Sequence, residues 1–301
     1  MASGALIESL DDAPPTTRHA VAYAGLAVST VGWAAGFIGG KFALAEMSPL
    51  PVAAWRYALA ATVLLPFALR ARPSAGLGTA ARPLALMAVF GGVLYPWLFL
   101  VALRHTSATN TSLLIALNPV VTLLLSPLVG ETVDRRRLAG ISLALVGAAV
   151  VITHGELRLA LHPGDVIALA AACSWAIFNL ASRRVAVQLA PAFTNCVIYA
   201  FGCAALATLG RGESPWAQLA SATPVAVGGI VLMALLSSVM AGQLFLVGVR
   251  TVGISRTVVF VYLVPVVTAV LATTVLGEPF RATQAVGGAA VLAGVYWTTR
   301  G

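Results

Sequence analysis

Charged residues are scarce in this sequence. Only 9% of its 301 residues are Asp, Glu, Lys or Arg, whereas a soluble domain carries about a quarter. Hydrophobic residues make up 59%, and the mean hydropathy is +0.94. No water-soluble core could hide this much apolar sequence. The shortage of charge therefore excludes a soluble protein and predicts that the lipid bilayer is its solvent.

Acidic residues are absent from the middle of the apolar runs. Those nearest to the runs fall at run ends or in loops, namely Glu46, Glu131, Asp165, Glu213 and Glu278. A proton relay inside a membrane ordinarily needs ionisable groups at depth. The sequence therefore argues against an obligatory carboxylate relay. It predicts a cavity without fixed charge, suited to neutral or zwitterionic solutes.

Cysteine is also rare, and common hydrolase motifs are missing. Cys173, Cys196 and Cys203 lie inside apolar runs, which predicts small buried side chains without disulfide or metal-ligand spacing. The sequence contains no HExxH, no GxSxG and no cluster of metal ligands. We therefore expect no enzyme activity, no catalytic residue, no metal and no cofactor.

The apolar residues form runs of membrane-spanning length, since a spanning helix needs about 20 of them. Cutting at charge, Pro and Gly clusters predicts ten spans: 20–43, 51–69, 83–103, 107–129, 138–153, 165–186, 191–209, 224–249, 254–276 and 283–299. Residues 1–17 are predicted to be a disordered tail rather than a cleaved signal peptide, because no basic region precedes an apolar one. The fold class is thus an all-α polytopic membrane protein.

The basic residues indicate how the spans are oriented. Eleven arginines fall in one set of loops and four in the opposite set, which places both termini in the cytoplasm. The net charge of +8 arises from Lys and Arg between apolar runs, so it reflects membrane topology and predicts no nucleic acid partner.

The chain repeats itself at about half its length. The stretch 98–104 matches 244–250 and Pro119 matches Pro265, all at an offset of 146 residues. Trp33 pairs with Trp175 at an offset of 142. Apolar helices resemble one another by composition, but these matches include Trp and Pro and fall in order. Two repeats of five spans, 20–153 and 165–299, would be inverted, an architecture typical of secondary transporters.

Three stretches resemble a known family, the EamA-type drug/metabolite transporters. They are "LRHTSATNTSLLIALNPVVTLLLSPLVGE" (103–131), "VRTVGISRTVVFVYLVPVVTAVLATTVLGE" (249–278) and "PVAAWRYALAATVLLP" (51–66). The resemblance covers about residues 20–299 and implies ten helices, cytoplasmic termini and export or exchange of small metabolites. Aromatic amino acid exporters of the YddG type are the nearest guide to a substrate. In one departure, Arg256 occupies the place that Asn110 has in the first repeat.

The two prolines inside apolar runs predict helix interruptions. Pro119 and Pro265 each remove a backbone hydrogen bond, and in lipid the freed carbonyl must find another donor. Paired interruptions in the two halves of a transporter point to its binding site. We predict that both prolines act as hinges or site walls; a kink that serves packing alone is the alternative.

Polar and aromatic residues near these prolines are the candidate substrate contacts. Asn118 lies on a polar helix face, and Trp33, Trp175 and Asn179 lie roughly mid-span. The third span and its repeat differ, one offering aromatic and the other hydrogen-bonding side chains. The predicted substrate-binding residues are Trp33, Tyr95, Trp97, Asn118, Trp175, Asn179, Ser237, Ser238, Gln243 and Tyr262. Helix–helix packing remains an alternative role for each of them.

Three basic residues at span ends are candidate gate residues. Lys41 and Arg56 lie toward the outer ends of adjoining spans, close to Glu46, and Arg256 lies near a cytoplasmic end. A gate or a contact with a substrate carboxylate is one role for them. A rim salt bridge, or a positive-inside charge for Arg256, is the other. Glu131 and Glu278 are predicted to cap or tether helix ends.

Together these patterns predict a secondary transporter in a bacterial inner membrane. It would export or exchange small neutral or zwitterionic metabolites, with amino acids favoured, by alternating access around a central cavity. A drug or nucleoside exporter on the same fold is one alternative, and an intramembrane enzyme or a non-transporting membrane subunit is another. The partners expected are a small-molecule substrate and the lipid bilayer, and a monomer is consistent with the architecture.

Overall fold

A computed structural model describes residues 15–73, 76–125, 135–153 and 162–299. Within these residues every regular element is a helix. In the described part of the chain, six helices are long and apolar enough to span a membrane: Thr16–Leu44, Pro49–Arg70, Gly78–His105, Pro163–Ala186, Pro191–Leu209 and Pro224–Val252. The chain is therefore an all-helical, multi-pass membrane protein, as its composition predicts.

The first half of the chain, residues 15–153, contains seven of the described α-helices. They are α1 (Pro15–Leu44), α2 (Pro49–Arg70), α3 (Ala81–Leu86), α4 (Tyr95–His105), α5 (Ala108–Ile115), α6 (Asn118–Leu124) and α7 (Arg135–Thr153). A π-helical segment, π1 (Met87–Leu94), joins α3 to α4 without interruption. Residues 15–17 are helical, which corrects that part of the predicted tail. Residues 1–14, Ser126 and Glu131 lie outside the described residues.

The second half, residues 162–299, repeats this order with one additional short α-helix, Pro215–Ser221. It contains α8 (Pro163–Ala186), α9 (Pro191–Leu209), α10 (Pro215–Ser221), α11 (Pro224–Leu232), α12 (Ala241–Val252), α13 (Ile254–Val261), α14 (Val264–Val275) and α15 (Ala282–Thr299). The segment π2 (Met233–Met240) joins α11 to α12. Proline stands at the first position of several of these helices, where its missing N–H costs nothing and its fixed φ suits the helix.

The two π-helical segments lie at corresponding positions, 146 residues apart. Each is eight residues long. Gly91 and Gly92 are buried in π1, and Ser237 and Ser238 are buried in π2. π-Helical turns inside α-helices are frequent at functional sites. The sequence pairing thus extends to an unusual backbone geometry.

Helices of one half pack mainly on helices of the other. The first helix of the first half, α1, packs on α11, π2 and α12, and its counterpart α8 packs on α3, π1 and α4. Likewise α2 packs on α9, and α7 on α15. The contacts between the halves are therefore reciprocal, and the centre of the molecule is built from both.

The α1–α11 crossing is close enough to require glycine. A Cβ atom on Gly39 would lie 2.6 Å from the carbonyl oxygen of Gly229, and one on Gly229 would overlap the carbonyl oxygen of Gly39. Small residues allow helix backbones to approach closely in membranes, where no hydrophobic force drives helices together. This contact holds α1 against the helix that continues into π2.

Two loop contacts join the halves at corresponding places. The Glu46 carboxylate, between α1 and α2, accepts hydrogen bonds from the N–H and hydroxyl of Thr223, the residue before α11. Gln188 lies 142 residues after Glu46, and its side-chain oxygen accepts a 2.9 Å hydrogen bond from the Thr79 hydroxyl before α3. Each contact ties an inter-helix loop to the start of a helix in the other half.

We expect the Glu46 contact to make stability depend on pH. The hydrogen bonds from Thr223 hold the pKa of Glu46 below its ordinary value. Such a carboxylate stabilises the fold above its unfolded pKa and loses that contribution as the pH falls through its folded pKa. The stability lost in Glu46→Gln should therefore be constant above about pH 6 and shrink below about pH 4. Thermal unfolding in detergent measures this difference, and a loss that does not change with pH contradicts the assignment.

The cysteines differ in part from expectation. Cys196 is buried, but Cys203 is half-buried and Cys173 is exposed. Because α8 is a candidate span, a small apolar side chain on its outer face meets lipid rather than water, so an apolar run does not by itself place a residue inside the protein.

Candidate functional site

Each half of the chain contains a helix break, and the two breaks lie at corresponding positions of the repeat. α5 ends at Ile115 and α6 begins at Asn118, while α13 ends at Val261 and α14 begins at Val264. Each break contains the same backbone bond, with the Leu117 and Leu263 amides donating over 3.1 Å to the carbonyls three residues earlier. The prolines Pro119 and Pro265 are the second residues after these breaks. The predicted interruptions are therefore present, and a hinge role stays a prediction.

Asn118 satisfies the polar groups that the first break exposes. Its amide Nδ2 donates over 2.9 Å to the Ile115 carbonyl, the acceptor that Pro119 leaves without a backbone donor. Its Oδ1 accepts a 3.0 Å hydrogen bond from Nδ2 of Asn179 on α8. Asn118 is fully buried. The corresponding Val264 has no donor to offer, so the two breaks differ in chemistry.

A cavity lies between the breaks, the π segments and α1, α2, α8 and α9. It includes about 860 Å³ of space free of protein atoms, counting the part open to solvent. Its volume, as protein cavities are usually measured, is about 60 Å³, which is room for a few water molecules. In this conformation the cavity therefore suits a compact solute.

One wall of the cavity is aromatic. The rings of Trp33 and Trp175 meet edge to face with centroids 6.2 Å apart. Trp175 also lies 4.6 Å from Tyr95 and 4.4 Å from Phe178, and Trp33 lies 5.3 Å from Phe245. Offset and edge-to-face contacts of this kind are favourable and fix the ring positions. The wall is thus a pre-formed surface for an apolar group.

Another part of the cavity lining is polar and carries a cation. Nε of Arg56 donates over 2.7 Å to the Ser238 hydroxyl, and Nη2 lies 3.5 Å from the Ser237 hydroxyl. The Ser238 hydroxyl donates in turn to the Met233 carbonyl. Tyr199 donates to the Ser238 carbonyl over 2.8 Å. The unusual backbone of π2 therefore presents two hydroxyls to one guanidinium.

Arg56 corrects the expectation of a cavity without fixed charge. It is only 6% exposed and lines the cavity, although it lies only seven residues after the start of α2. The sequence placed it at a membrane rim, where a long side chain reaches solvent. Packing of α2 against π2 instead directs it inward.

The predicted substrate contacts fall into two groups. Five of them line the cavity, namely Trp33, Tyr95, Asn118, Trp175 and Ser237, and so does the gate candidate Arg56. Asn179 and Ser238 lie directly behind it, bonded to Asn118 and Arg56. Their roles in binding stay predictions.

The remaining candidates lie elsewhere in this conformation. Trp97 is 37% exposed, Gln243 bonds weakly to the Pro191 carbonyl, and Tyr262 is buried in a separate apolar cluster. Pro265 borders an apolar groove beside α15. The prediction that these four residues line the cavity is therefore corrected. The π-helical segments rotate the side chains that follow them relative to a regular helix, so aligning the two repeats as α-helices does not locate those side chains reliably.

Two of the three gate candidates are also outside the cavity. Lys41 Nζ donates over 2.7 Å to the Thr106 carbonyl, and the Thr106 hydroxyl donates to the buried Asp165. Arg256 is exposed. Nearby, the Glu278 carboxylate accepts the Ala108 amide at the start of α5 over 2.9 Å. The Lys41 bond lies within the first half, whereas the Asp165 and Glu278 contacts connect helix ends of the two halves, as predicted for Glu278.

Several lining residues were missed by sequence reasoning. Asn195, Tyr199, Tyr57 and Phe245 line the cavity without having been singled out as contacts. Tyr57 and Tyr199 stack with centroids 4.6 Å apart. Their offset of 142, the same as that of Trp33 and Trp175, was the signal that could have identified them.

A comparison with known families identifies the chain. The profile of the EamA-like transporter family matches residues 20–153 and again residues 162–300. The chain belongs to the EamA-like transporter family. It is a membrane transporter, and the cavity between its halves is the candidate transport site.

Similar proteins agree with this assignment. An uncharacterized transporter of Archaeoglobus fulgidus is 30% identical over 282 residues, 91% of this chain and 96% of that protein. A "Probable amino-acid metabolite efflux pump" of Salmonella typhimurium is 26% identical, over 88% of this chain and 90% of the pump. A solved crystal structure matches with a TM-score of 0.64 at 17% identity, covering 94% of this chain and 98% of the other. At that identity the similarity concerns the fold alone.

Proposed function

We propose that this EamA-like transporter is a secondary carrier that exports or exchanges small neutral or zwitterionic metabolites, with amino acids as the first candidates. It would cross a bacterial inner membrane ten times, in two inverted repeats of five spans. Both termini would lie in the cytoplasm. The observation that carries the proposal is the pair of helix breaks, 146 residues apart, beside a cavity lined by both halves.

The alternating-access mechanism draws on the reciprocal packing of the halves. Because α1 and α8 each pack on the opposite half, a small rotation of one half against the other would open one end of the cavity and close the other. The breaks before Pro119 and Pro265 supply points where the helices can bend. The contacts that join helix ends across the halves, from Thr106 to Asp165 and from Ala108 to Glu278, would have to break and re-form in this cycle.

Amino acids are favoured by the cavity and by a relative's name. The cavity combines aromatic rings, amides, hydroxyls and one cation, and it suits a compact solute. The similar Salmonella typhimurium protein is called an amino-acid metabolite efflux pump. Aromatic amino acids, the substrates of YddG-type exporters, are part of this proposal.

We also propose that transport is coupled weakly or not at all to an ion, because the described lining residues include no carboxylate.

Flux measurements in proteoliposomes test the proposal. The purified full-length chain should release radiolabelled amino acids from loaded vesicles faster than protein-free vesicles do. Trp175→Ala should lower that flux about tenfold or more, since an aromatic contact surface worth over 1.4 kcal/mol would be lost. Trp216→Ala is the matched control because Trp216 is 72% exposed and is not among the residues that line the cavity.

Two outcomes would count against it. Flux equal to that of protein-free vesicles across the whole amino acid panel removes the amino acid assignment. Flux that disappears when the proton gradient is dissipated removes the uncoupled version but leaves a transporter.

A further inference from the structure

Arg56 is a buried cation whose charge nothing nearby neutralises. Its hydrogen-bond acceptors are the hydroxyls of Ser237 and Ser238, both neutral, and within the described residues no carboxylate pairs with it. The ring of Tyr57 lies 5.2 Å from the guanidinium carbon, a weak additional attraction. Holding an unpaired charge out of water is costly, and charges inside membrane proteins usually serve a pathway or a ligand.

A hydrogen-bond donor without a partner, on Asn195, faces the same cavity as Arg56. Asn195 on α9 lines the cavity and is only 2% exposed, yet its Nδ2 has no hydrogen-bond partner in the described structure. Buried amide groups are nearly always bonded, so an exception needs an explanation. Asn195 Nδ2 and the Tyr199 hydroxyl both approach Gly242, and Tyr199 bonds to Ser238, which holds Arg56. Arg56 and the unpaired amide of Asn195 therefore belong to one polar wall of the cavity.

The chemistry of this wall suits a monoanion with acceptor oxygens. A guanidinium offers a planar set of donors that matches a carboxylate, and an amide N–H can complete the coordination. Arg56 is the one charged residue among the described lining residues, so it can balance one negative charge and would leave a dianionic phosphate undercompensated. The rings of Trp33 and Trp175, which line the same cavity, present an aromatic surface to an apolar body.

We propose that Arg56 and Asn195 bind the carboxylate of the solute, and that the ligands of this site are monocarboxylates with an apolar or aromatic body. The inference rests on the proposed transport function for its physiological meaning, but binding can be measured without transport. It extends the proposed function by naming the group that is recognised. The polar wall selects the carboxylate of the solute and not its α-amino group.

A matched pair of ligands isolates the carboxylate. 3-Phenylpropanoate and its neutral analogue 3-phenylpropanamide are titrated into the detergent-purified full-length protein at neutral pH. Tryptophan fluorescence reports binding because Trp33 and Trp175 lie in the cavity. We expect the carboxylate to bind about tenfold or more tightly than the amide, as charge-assisted bonds in a dry site imply.

Substitutions assign the preference to the two residues. Arg56→Gln should reduce the affinity ratio of the two ligands to about one, and Arg56→Lys should retain part of it. Asn195→Asp should weaken carboxylate binding, because the new acid competes for Arg56, while the amide is affected little. Arg256→Gln is the control, since Arg256 is an exposed arginine outside the cavity lining, and it should leave the ratio unchanged.

Each contrary result overturns the inference. Equal affinities for the two ligands in the unmodified protein, no saturable signal at millimolar carboxylate, or an unchanged ratio in Arg56→Gln would each do so. If Arg56→Gln does not elute as a folded protein in gel filtration, the inference is tested by the affinities of the unmodified protein and of Asn195→Asp for the two ligands. Carboxylate-selective binding without amino acid flux would remove the proposed transport function alone, and flux without selectivity would remove this inference alone.

Discussion

Replacement of Asn118 by leucine is expected to lower the free energy of unfolding by about 2–5 kcal/mol. Two buried groups lose their partners at once, the Ile115 carbonyl and the Asn179 amide, and each unsatisfied group costs about 1–3 kcal/mol. Pro119 has no N–H, so the backbone cannot take over the bond to Ile115. Denaturant or thermal unfolding of the purified protein measures the loss.

The corresponding position in the second half supplies the control. Val264 is buried at the second break and offers no side-chain donor, so Val264→Leu changes volume without removing a hydrogen bond. We expect a loss near the lower end of the range of about 1–3 kcal/mol that an added methylene costs in a packed core, because Val264 borders the cavity. Equal losses in the two variants would show that packing at the breaks, rather than the Asn118 amide, determines stability.

Replacement of Gly229 by alanine is expected to destabilise the protein by about 1–3 kcal/mol and to impair transport. The added methyl group would overlap the Gly39 carbonyl oxygen, and a backbone atom cannot move aside without shifting α1 or α11. Because α1 carries Trp33 and α11 continues into π2, their separation would also change the distance across the cavity. The free energy of unfolding and the amino acid flux measure the two effects.

The neighbouring glycine makes this a sharp comparison. Gly228 lies one residue earlier on the same helix, and a Cβ there would meet nothing within 4 Å. Gly228→Ala should therefore be neutral or stabilise the protein by about 0.5–1 kcal/mol, since alanine is the better helix former. A similar effect of both substitutions would contradict the close α1–α11 contact.

Sequence reasoning succeeded where local chemistry decides the structure. The helix breaks before Pro119 and Pro265 agree with the missing N–H of proline and its recurrence at the repeat offset, whereas Pro66 lies inside α2 without ending it. The π segments were not predicted, because the apolar pattern of 87–94 and 233–240 is the same for an α-helix and a π-helix of that length. Their matching positions became visible only in the backbone.

The site was predicted in part for a similar reason. Trp33 and Trp175 stood out because a rare residue recurred at the repeat offset, and both line the cavity. Trp97 was chosen by its helix position, yet it is exposed. Asn195 was overlooked because nothing in its neighbours distinguishes a cavity-facing amide from one that bonds another helix.

The amino-acid sequence by itself determined the solvent, the duplication and the places where the helices break. These follow from run length, residue recurrence and the covalent structure of proline, which act within a few residues or along the chain. Only the tertiary structure decided which side chains meet in the cavity and that the cavity is charged. Arg56 reaches Ser237 and Ser238, about 180 residues away, through the packing of α2 on π2. The depth of a side chain depends on such distant neighbours, and these are not written in the residues beside it.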